Sequence, residues 1–198
     1  MVVRFTRGIG RNIILTVAMV AALIAVTVWA TGDVTTHADA TIPADTAANG
    51  PHPAFTPLSG PIVLESDNAG MPTGSMILNA PAGFQFNTAK SVTISVGGSG
   101  TLADISATDS KTGAGTATVT PDATSITVWV VKASTGTGRT SFTWTGIEVQ
   151  PQNGTSLPTG AITFSGTSSS PNSTGGLPAG TVMGTLTVVN RPLKKSIT

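Results

Sequence analysis

The clearest pattern in the chain is the alternation of apolar and hydroxyl side chains over residues 115–151. Apolar residues recur at every second position, which is typical of strands that bury one face. The residues that follow this period are Ala117, Val119, Ile126, Val128, Val130, Phe142 and Trp144. Turn-forming stretches at residues 120–123 and 134–138 interrupt it, so the pattern predicts three strands in an antiparallel meander.

The same period marks further strands on both sides of this segment. They are predicted around residues 62–64, 76–78, 92–96, 161–165 and 181–189. Phe84 and Phe86 lie two positions apart, so both rings should close one end of a core. The apolar phase changes at Gly146, where we expect a β-bulge or a crossing between sheets. About eight or nine short strands at this spacing predict an all-β fold, an antiparallel β-sandwich.

The first 40 residues have a different character. Three arginines within the first eleven residues precede an uncharged apolar run over residues 13–30. Residues 38–40 are Ala-Asp-Ala, the small-residue spacing that signal peptidase reads, which predicts a signal peptide over residues 1–40 with cleavage after Ala40. The apolar run is also close to the roughly 20 residues that span a bilayer, so an uncleaved membrane anchor is the alternative. Both predict a secreted or cell-surface chain, because the arginines stay inside.

Composition agrees with an exported β protein. Hydrophobic residues make up 39% of the chain, enough for a core, whereas charged residues make up only 10%. Without cysteine, stability must come from sheet packing rather than from disulfides. Three of the ten basic and two of the nine acidic residues lie within the first 40 positions. Residues 41–198 therefore contain seven basic and seven acidic side chains, so their formal charges cancel. This balance and the absence of a basic stripe argue against a nucleic-acid partner.

Three segments follow the predicted leader. Residues 41–60 carry four prolines without a usable period, which is typical of an extended linker or arm. The β-sandwich domain should occupy residues 61–190, and residues 191–198 form a short basic tail. The arm leads into the apolar strand at residues 62–64, which can add to the open sheet edge of a neighbour. A self-assembling filament or pilus-like subunit is therefore one alternative function.

No catalytic constellation is apparent, so we expect no enzymatic activity. His52, the one histidine after residue 40, stands between two prolines in the predicted arm, which does not suit a Ser-His-Asp triad. The lack of cysteine excludes the usual zinc sites. Calcium is the one cofactor that the sequence leaves open, because Glu65, Asp67 and Asn68 place three oxygen side chains at a strand end. A polar turn explains the same residues.

Trp129 is the candidate ligand-binding residue. It lies out of phase with the inward-facing Val128 and Val130, so its indole should face outward, where it can stack on a sugar or a partner. Trp144 shares its phase with Phe142 and is expected in the core. A carbohydrate-binding module is therefore a second alternative function. The aromatic content of 5% and the absence of tyrosine stand against it, and a loop or another chain can also cover that face.

Three stretches carry a resemblance to a known class of modules. They are residues 74–86 (GSMILNAPAGFQF), 146–151 (GIEVQP) and 184–188 (GTLTV). With them the run over residues 62–189 resembles the β-sandwich modules of exported prokaryotic surface proteins of the adhesin or surface-layer kind. The resemblance implies a structural or adhesive module, often one of an array, whose partners are itself, other surface proteins or glycans. Fold likeness does not by itself establish function.

Overall fold

The computed structural model describes residues 32–65, 70–135, 138–169 and 177–190. Within these residues the chain is all-β, with fourteen strands and two short 3-10 helices. The strands are β1 (Asp33–Thr36), β2 (Ala40–Pro43), β3 (Thr56–Pro57), β4 (Ile62–Leu64), β5 (Gly74–Asn79), β6 (Phe84–Phe86), β7 (Val92–Gly98), β8 (Asp104–Ser106), β9 (Thr116–Val119), β10 (Ser125–Lys132), β11 (Thr140–Thr145), β12 (Glu148–Pro151), β13 (Thr159–Ser165) and β14 (Val182–Val189). The helices are η1 (Ala44–Thr46) and η2 (Thr167–Ser169).

The strands form three sheets. The five-stranded sheet has the order β1-β4-β11-β7-β9, the six-stranded sheet the order β2-β14-β13-β5-β10-β8, and the three-stranded sheet the order β3-β12-β6. Neighbouring strands are antiparallel except for β2 and β14, which are parallel. The all-β, mainly antiparallel prediction is confirmed. The strand count was too low, because strands of two to four residues are too short to show a period.

The predicted meander over residues 115–151 is wrong, although its three strands exist as β9, β10 and β11. β9 and β11 lie on either side of β7 in the five-stranded sheet, and β10 lies in the six-stranded sheet between β5 and β8. The turns therefore carry the chain between sheets rather than between paired strands. An alternating pattern shows only that one face of a strand is buried, and it does not show which strands are paired. A strand in either of the two larger sheets can bury one face against the core.

The core collects the inward side chains of all three sheets. Its largest fully buried members are Trp144, Phe84, Phe86, Phe142 and Phe164. The rings of Phe142 and Trp144 are tilted by 42° with centroids 6.4 Å apart, a favourable aromatic geometry. The predicted core positions of Phe84, Phe86 and Trp144 are confirmed.

Gly146 is the point at which the chain changes sheet, as the phase change predicted. β11 ends at Thr145, Gly146 has a φ of +80°, and β12 then pairs with β3 and β6 in the three-stranded sheet. Such a φ favours glycine because it has no Cβ.

The N-terminal strands connect the two larger sheets. β1 pairs with β4 in the five-stranded sheet, and β2 pairs with β14 in the six-stranded sheet. We call the three residues between them, 37–39, the crossing segment. Its backbone is fixed because the Ala38 N–H donates to the Met183 carbonyl at 2.8 Å and the Thr185 N–H donates to Asp39 Oδ1 at 2.6 Å. Ala38 is fully buried.

Strands β1, β2 and β3 and helix η1 lie within the segments predicted as a leader and an arm. Residues 41–60, for which a linker or arm was predicted, contain most of β2, η1 and β3, and both Ile42 and Ala47 are fully buried. The predicted cleavage after Ala40 falls within β2, and the apolar run and the basic tail lie outside the described residues. The leader itself stays a prediction. In the part of the chain that is described, no helix is both long and apolar enough to cross a membrane.

Candidate functional site

Trp129 lies on the outer face of the six-stranded sheet. Along β10 the side chains of Ile126, Val128 and Val130 are buried, whereas Trp129 is only half-buried. Its partners across the sheet are Ser75 on β5 and Ser106 on β8. The indole therefore lies on the face that its position in the alternating pattern predicts.

An open depression of about 420 Å³ borders the indole. Its lining residues are Thr73, Gly74, Asp109, Ser110, Lys111, Trp129, Val130 and Val131. Its rim combines an aromatic ring with a carboxylate, an ammonium group and hydroxyls. Asp109 and Lys111 are both exposed, and within the described ranges neither forms an ion pair. Their polar atoms therefore face solvent beside the ring.

The loop that carries Asp109 and Lys111 is fixed next to Trp129 by short-range hydrogen bonds. The Ser110 hydroxyl lies 2.6 Å from the Thr112 carbonyl oxygen and 3.1 Å from the hydroxyl of Ser106, the residue opposite Trp129. Pairing of β8 with β10 thus positions the charged loop beside the indole. This arrangement could not be predicted from the sequence, because residues 109–113 have the composition of an ordinary turn.

The start of β5, which includes the lining residue Gly74, is fixed by η2. The Ser75 N–H donates to Thr167 Oγ1 at 2.9 Å, and the Thr167 N–H donates to Ser75 Oγ at 3.1 Å. The buried Ser168 hydroxyl donates to the Ser75 carbonyl at 2.8 Å. A Cβ on Gly74, whose φ is +141°, would lie 2.6 Å from Thr167 Oγ1, so only glycine permits this approach.

Glu65, predicted as a calcium ligand, is a buried acceptor at the end of β4. Its side chain is 2% exposed, and Oε2 accepts hydrogen bonds from the Ser134 hydroxyl and, at 3.0 Å, from the Met71 N–H. The Met71 N–H also lies 2.7 Å from Ser134 Oγ. The carboxylate therefore connects the chain around β4 and β5 to the turn after β10.

The other two predicted calcium ligands, Asp67 and Asn68, lie outside the described residues. Across the described ranges, no three His, Asp or Glu side chains stand close enough together to hold a metal ion. The calcium site stays a prediction. His52 is exposed in the segment between η1 and β3.

The outer face of the five-stranded sheet carries a continuous set of hydroxyl side chains, which we call the hydroxyl face. Its members are Thr93, Ser95, Thr116, Thr118, Ser141, Thr143 and Thr145. They are adjacent across strands: Thr93 pairs with Thr118 on one side and Thr145 on the other. No member is charged. Such a face is well hydrated but has no strong preference for an ionic partner.

Comparison of the chain with protein-family models, with curated proteins and with solved structures gave no match.

Proposed function

We propose that this protein is a secreted or cell-surface structural or adhesive module with a β-sandwich fold and no enzymatic activity. The hydroxyl face is the observation that carries the proposal. Seven Ser and Thr side chains on three neighbouring strands form a surface without charge, which suits display in an extracellular layer better than binding of a charged substrate. The apolar run over residues 13–30 supplies the export signal in this proposal.

Closure of the sheets supports the same role. On one side the crossing segment joins β1 to β2, and on the other side Ile105 and Ala114 exchange backbone hydrogen bonds of 2.8 and 3.0 Å between β8 and the chain leading to β9. Backbone groups at sheet edges are templates for unwanted pairing. Joining the edges in this way favours a module that stays folded among many identical neighbours.

Self-assembly by addition of residues 62–64 to another copy is less well supported. This strand, β4, has β1 on one side and β11 on the other, and Val63 is fully buried. It would have to leave both neighbours before it could join another sheet. Light scattering over a wide concentration range tests this alternative: growth of filaments would favour it, and a monomer at every concentration would count against it.

Localisation tests the proposed function directly. The full chain, with an epitope tag at its C terminus, should be found in the medium or on the cell surface, where protease added to intact cells removes the tag. The control is the chain without residues 1–31, which keeps every described strand and should remain inside. Protection of the full-length chain in the cytoplasm would overturn the proposal.

A further inference from the structure

We propose that the depression beside Trp129 is a binding site for a neutral saccharide. This inference goes beyond the proposed structural role, because a module can be displayed without binding any sugar. It rests on three features of the site: the partly exposed indole, the composition of the rim, and the hydrogen bonds that fix the charged loop and the start of β5.

The indole supplies the apolar part of the site. Sugar rings present C–H groups on one face, and an aromatic side chain offers a flat apolar surface that removes those groups from water. Trp129 projects from the middle of β10 and is held by neighbouring strands on both sides. The adjacent positions are Ser75 on β5, which is buried and hydrogen-bonded to η2, and Ser106 on β8, and the indole itself lines the depression. A ligand can therefore approach the indole from the depression.

The rim supplies hydrogen bonds of both kinds. Asp109 accepts and Lys111 donates, the Thr73 hydroxyl can do either, and the Ser110 hydroxyl, which donates to the Thr112 carbonyl, can accept. The two charges are opposite, so the rim as a whole does not favour an anion or a cation. A polyhydroxylated, uncharged ligand can satisfy both groups at once. The volume of about 420 Å³ lies toward the small end of the range of ligand sites and suits a short oligosaccharide segment.

The walls are ordered before any ligand binds. Ser106 and Ser110 fix the charged loop, and hydrogen bonds between Ser75 and η2 fix the chain next to the lining residue Gly74. A site that needs little rearrangement loses less conformational entropy on binding. Weak contacts with a sugar can then produce measurable affinity.

A nucleic acid fits the site less well than a sugar. The ring offers stacking, but backbone binding requires several cations along a groove, and Lys111 is the one basic residue among those lining the depression. The charge of the rim thus selects a saccharide over a nucleotide chain.

A glycan array tests the proposal with the full chain. The array carries neutral oligosaccharides, including glucans, mannans, xylans and chitin oligomers, together with sulfated and uronic-acid glycans. We expect binding to at least one neutral group, confirmed by calorimetry with that oligosaccharide. Trp129→Ala should weaken binding by about tenfold or more, the loss typical of an aromatic anchor. Trp129→Phe should retain part of it.

Control variants distinguish a loss of sugar binding from a loss of stability or of surface display. Thr143→Ala, on the hydroxyl face, should leave binding unchanged. The exposed Asp109→Ala and Lys111→Ala variants should each weaken binding without lowering the unfolding temperature, which keeps the test valid even if a Trp129 variant folds poorly. Absence of binding to every neutral glycan, binding to acidic glycans alone, or unchanged affinity in Trp129→Ala would each overturn the proposal. Surface display of Asp109→Ala and Lys111→Ala should be normal whether or not these variants bind a sugar.

Discussion

Replacing Gly184 with alanine should force the crossing segment away from β14. Gly184 lies beneath this segment, and a Cβ added there would stand 2.4 Å from the Ala38 carbonyl oxygen and 2.8 Å from the Ala38 Cα. Real Cβ atoms essentially never approach another heavy atom within 3.0 Å. Because the obstructing atoms belong to buried backbone, no side-chain rotation relieves the clash. The backbone itself has to move.

The cost follows from the groups that would move. Overpacking of a filled site costs about 1–3 kcal/mol. The shift also lengthens the Ala38–Met183 and Thr185–Asp39 hydrogen bonds, each contributing roughly 0.5–1.5 kcal/mol. We therefore expect Gly184→Ala to lower the free energy of unfolding by about 2–6 kcal/mol. For a domain of this size the unfolding temperature should fall by roughly 4–24 °C.

Urea and thermal unfolding of chains that begin at Gly32 and at Thr41 provide the assay. In the chain from Gly32, Gly184→Ala should show the full loss, whereas Gly115→Ala, the matched control, has no atom within 4 Å of the added Cβ and should stay within about 0.5 kcal/mol of the wild type. The chain from Thr41, the product of the predicted cleavage, lacks Ala38. It should be less stable at the outset and insensitive to Gly184→Ala. If Gly184→Ala lowered the free energy of unfolding by less than about 1 kcal/mol in the chain from Gly32, or equally in both chains, the predicted clash with Ala38 would be refuted.

Two further predictions concern buried and ionic contacts. Ser134→Ala removes the hydroxyl that donates to the buried Glu65 carboxylate, so urea unfolding should show a loss of about 1–3 kcal/mol, and a change below about 0.5 kcal/mol would contradict the buried contact. The Glu148 carboxylate lies 2.8 Å from Lys90 Nζ, and the hydrogen bond from Lys90 lowers the pKa of Glu148 below its usual value of 4.5. The pair therefore stabilises the fold fully above about pH 4.5 and less as pH falls through the lowered pKa. Because Lys90 is largely exposed, Glu148→Gln should lower the free energy of unfolding by under about 1 kcal/mol at neutral pH. The variant should also lose less stability than the wild type as the pH falls below about 4.5. An equal loss in both proteins over this pH range would contradict the contribution of the ion pair.

Periodicity predicted which side chains the strands bury but not how the strands pair. The inward set on β10 and the outward position of Trp129 followed from a period of two, and the change of sheet at Gly146 followed from a change of phase. Pairing depends on contacts between residues far apart in the sequence, such as β7 with β11, and a one-dimensional pattern does not contain them. The predicted meander failed for this reason.

In the candidate site, too, contacts between residues far apart in the chain could not be predicted from the sequence. Trp129 could be selected from the sequence, because parity depends only on its own strand. Asp109 and Lys111 could not, since they reach the indole only through the pairing of β8 with β10. Glu65 was recognised as a carboxylate at a strand end, but its burial against Ser134 depends on a contact across 69 positions of the chain. Composition near a residue does not reveal such a partner.

The parallel pairing of β2 with β14 has a mechanical consequence. Four residue pairs join these strands, from Ala40 and Leu186 to Pro43 and Val189. Tension applied before β2 and after β14 pulls the two strands along their length in opposite directions, so their hydrogen bonds are loaded together in shear. Single-molecule stretching from these two points should show one cooperative rupture, and gradual opening at low force would contradict this. A chain held immediately before β2 and immediately after β14 would then carry the load through the backbone hydrogen bonds of this strand pair.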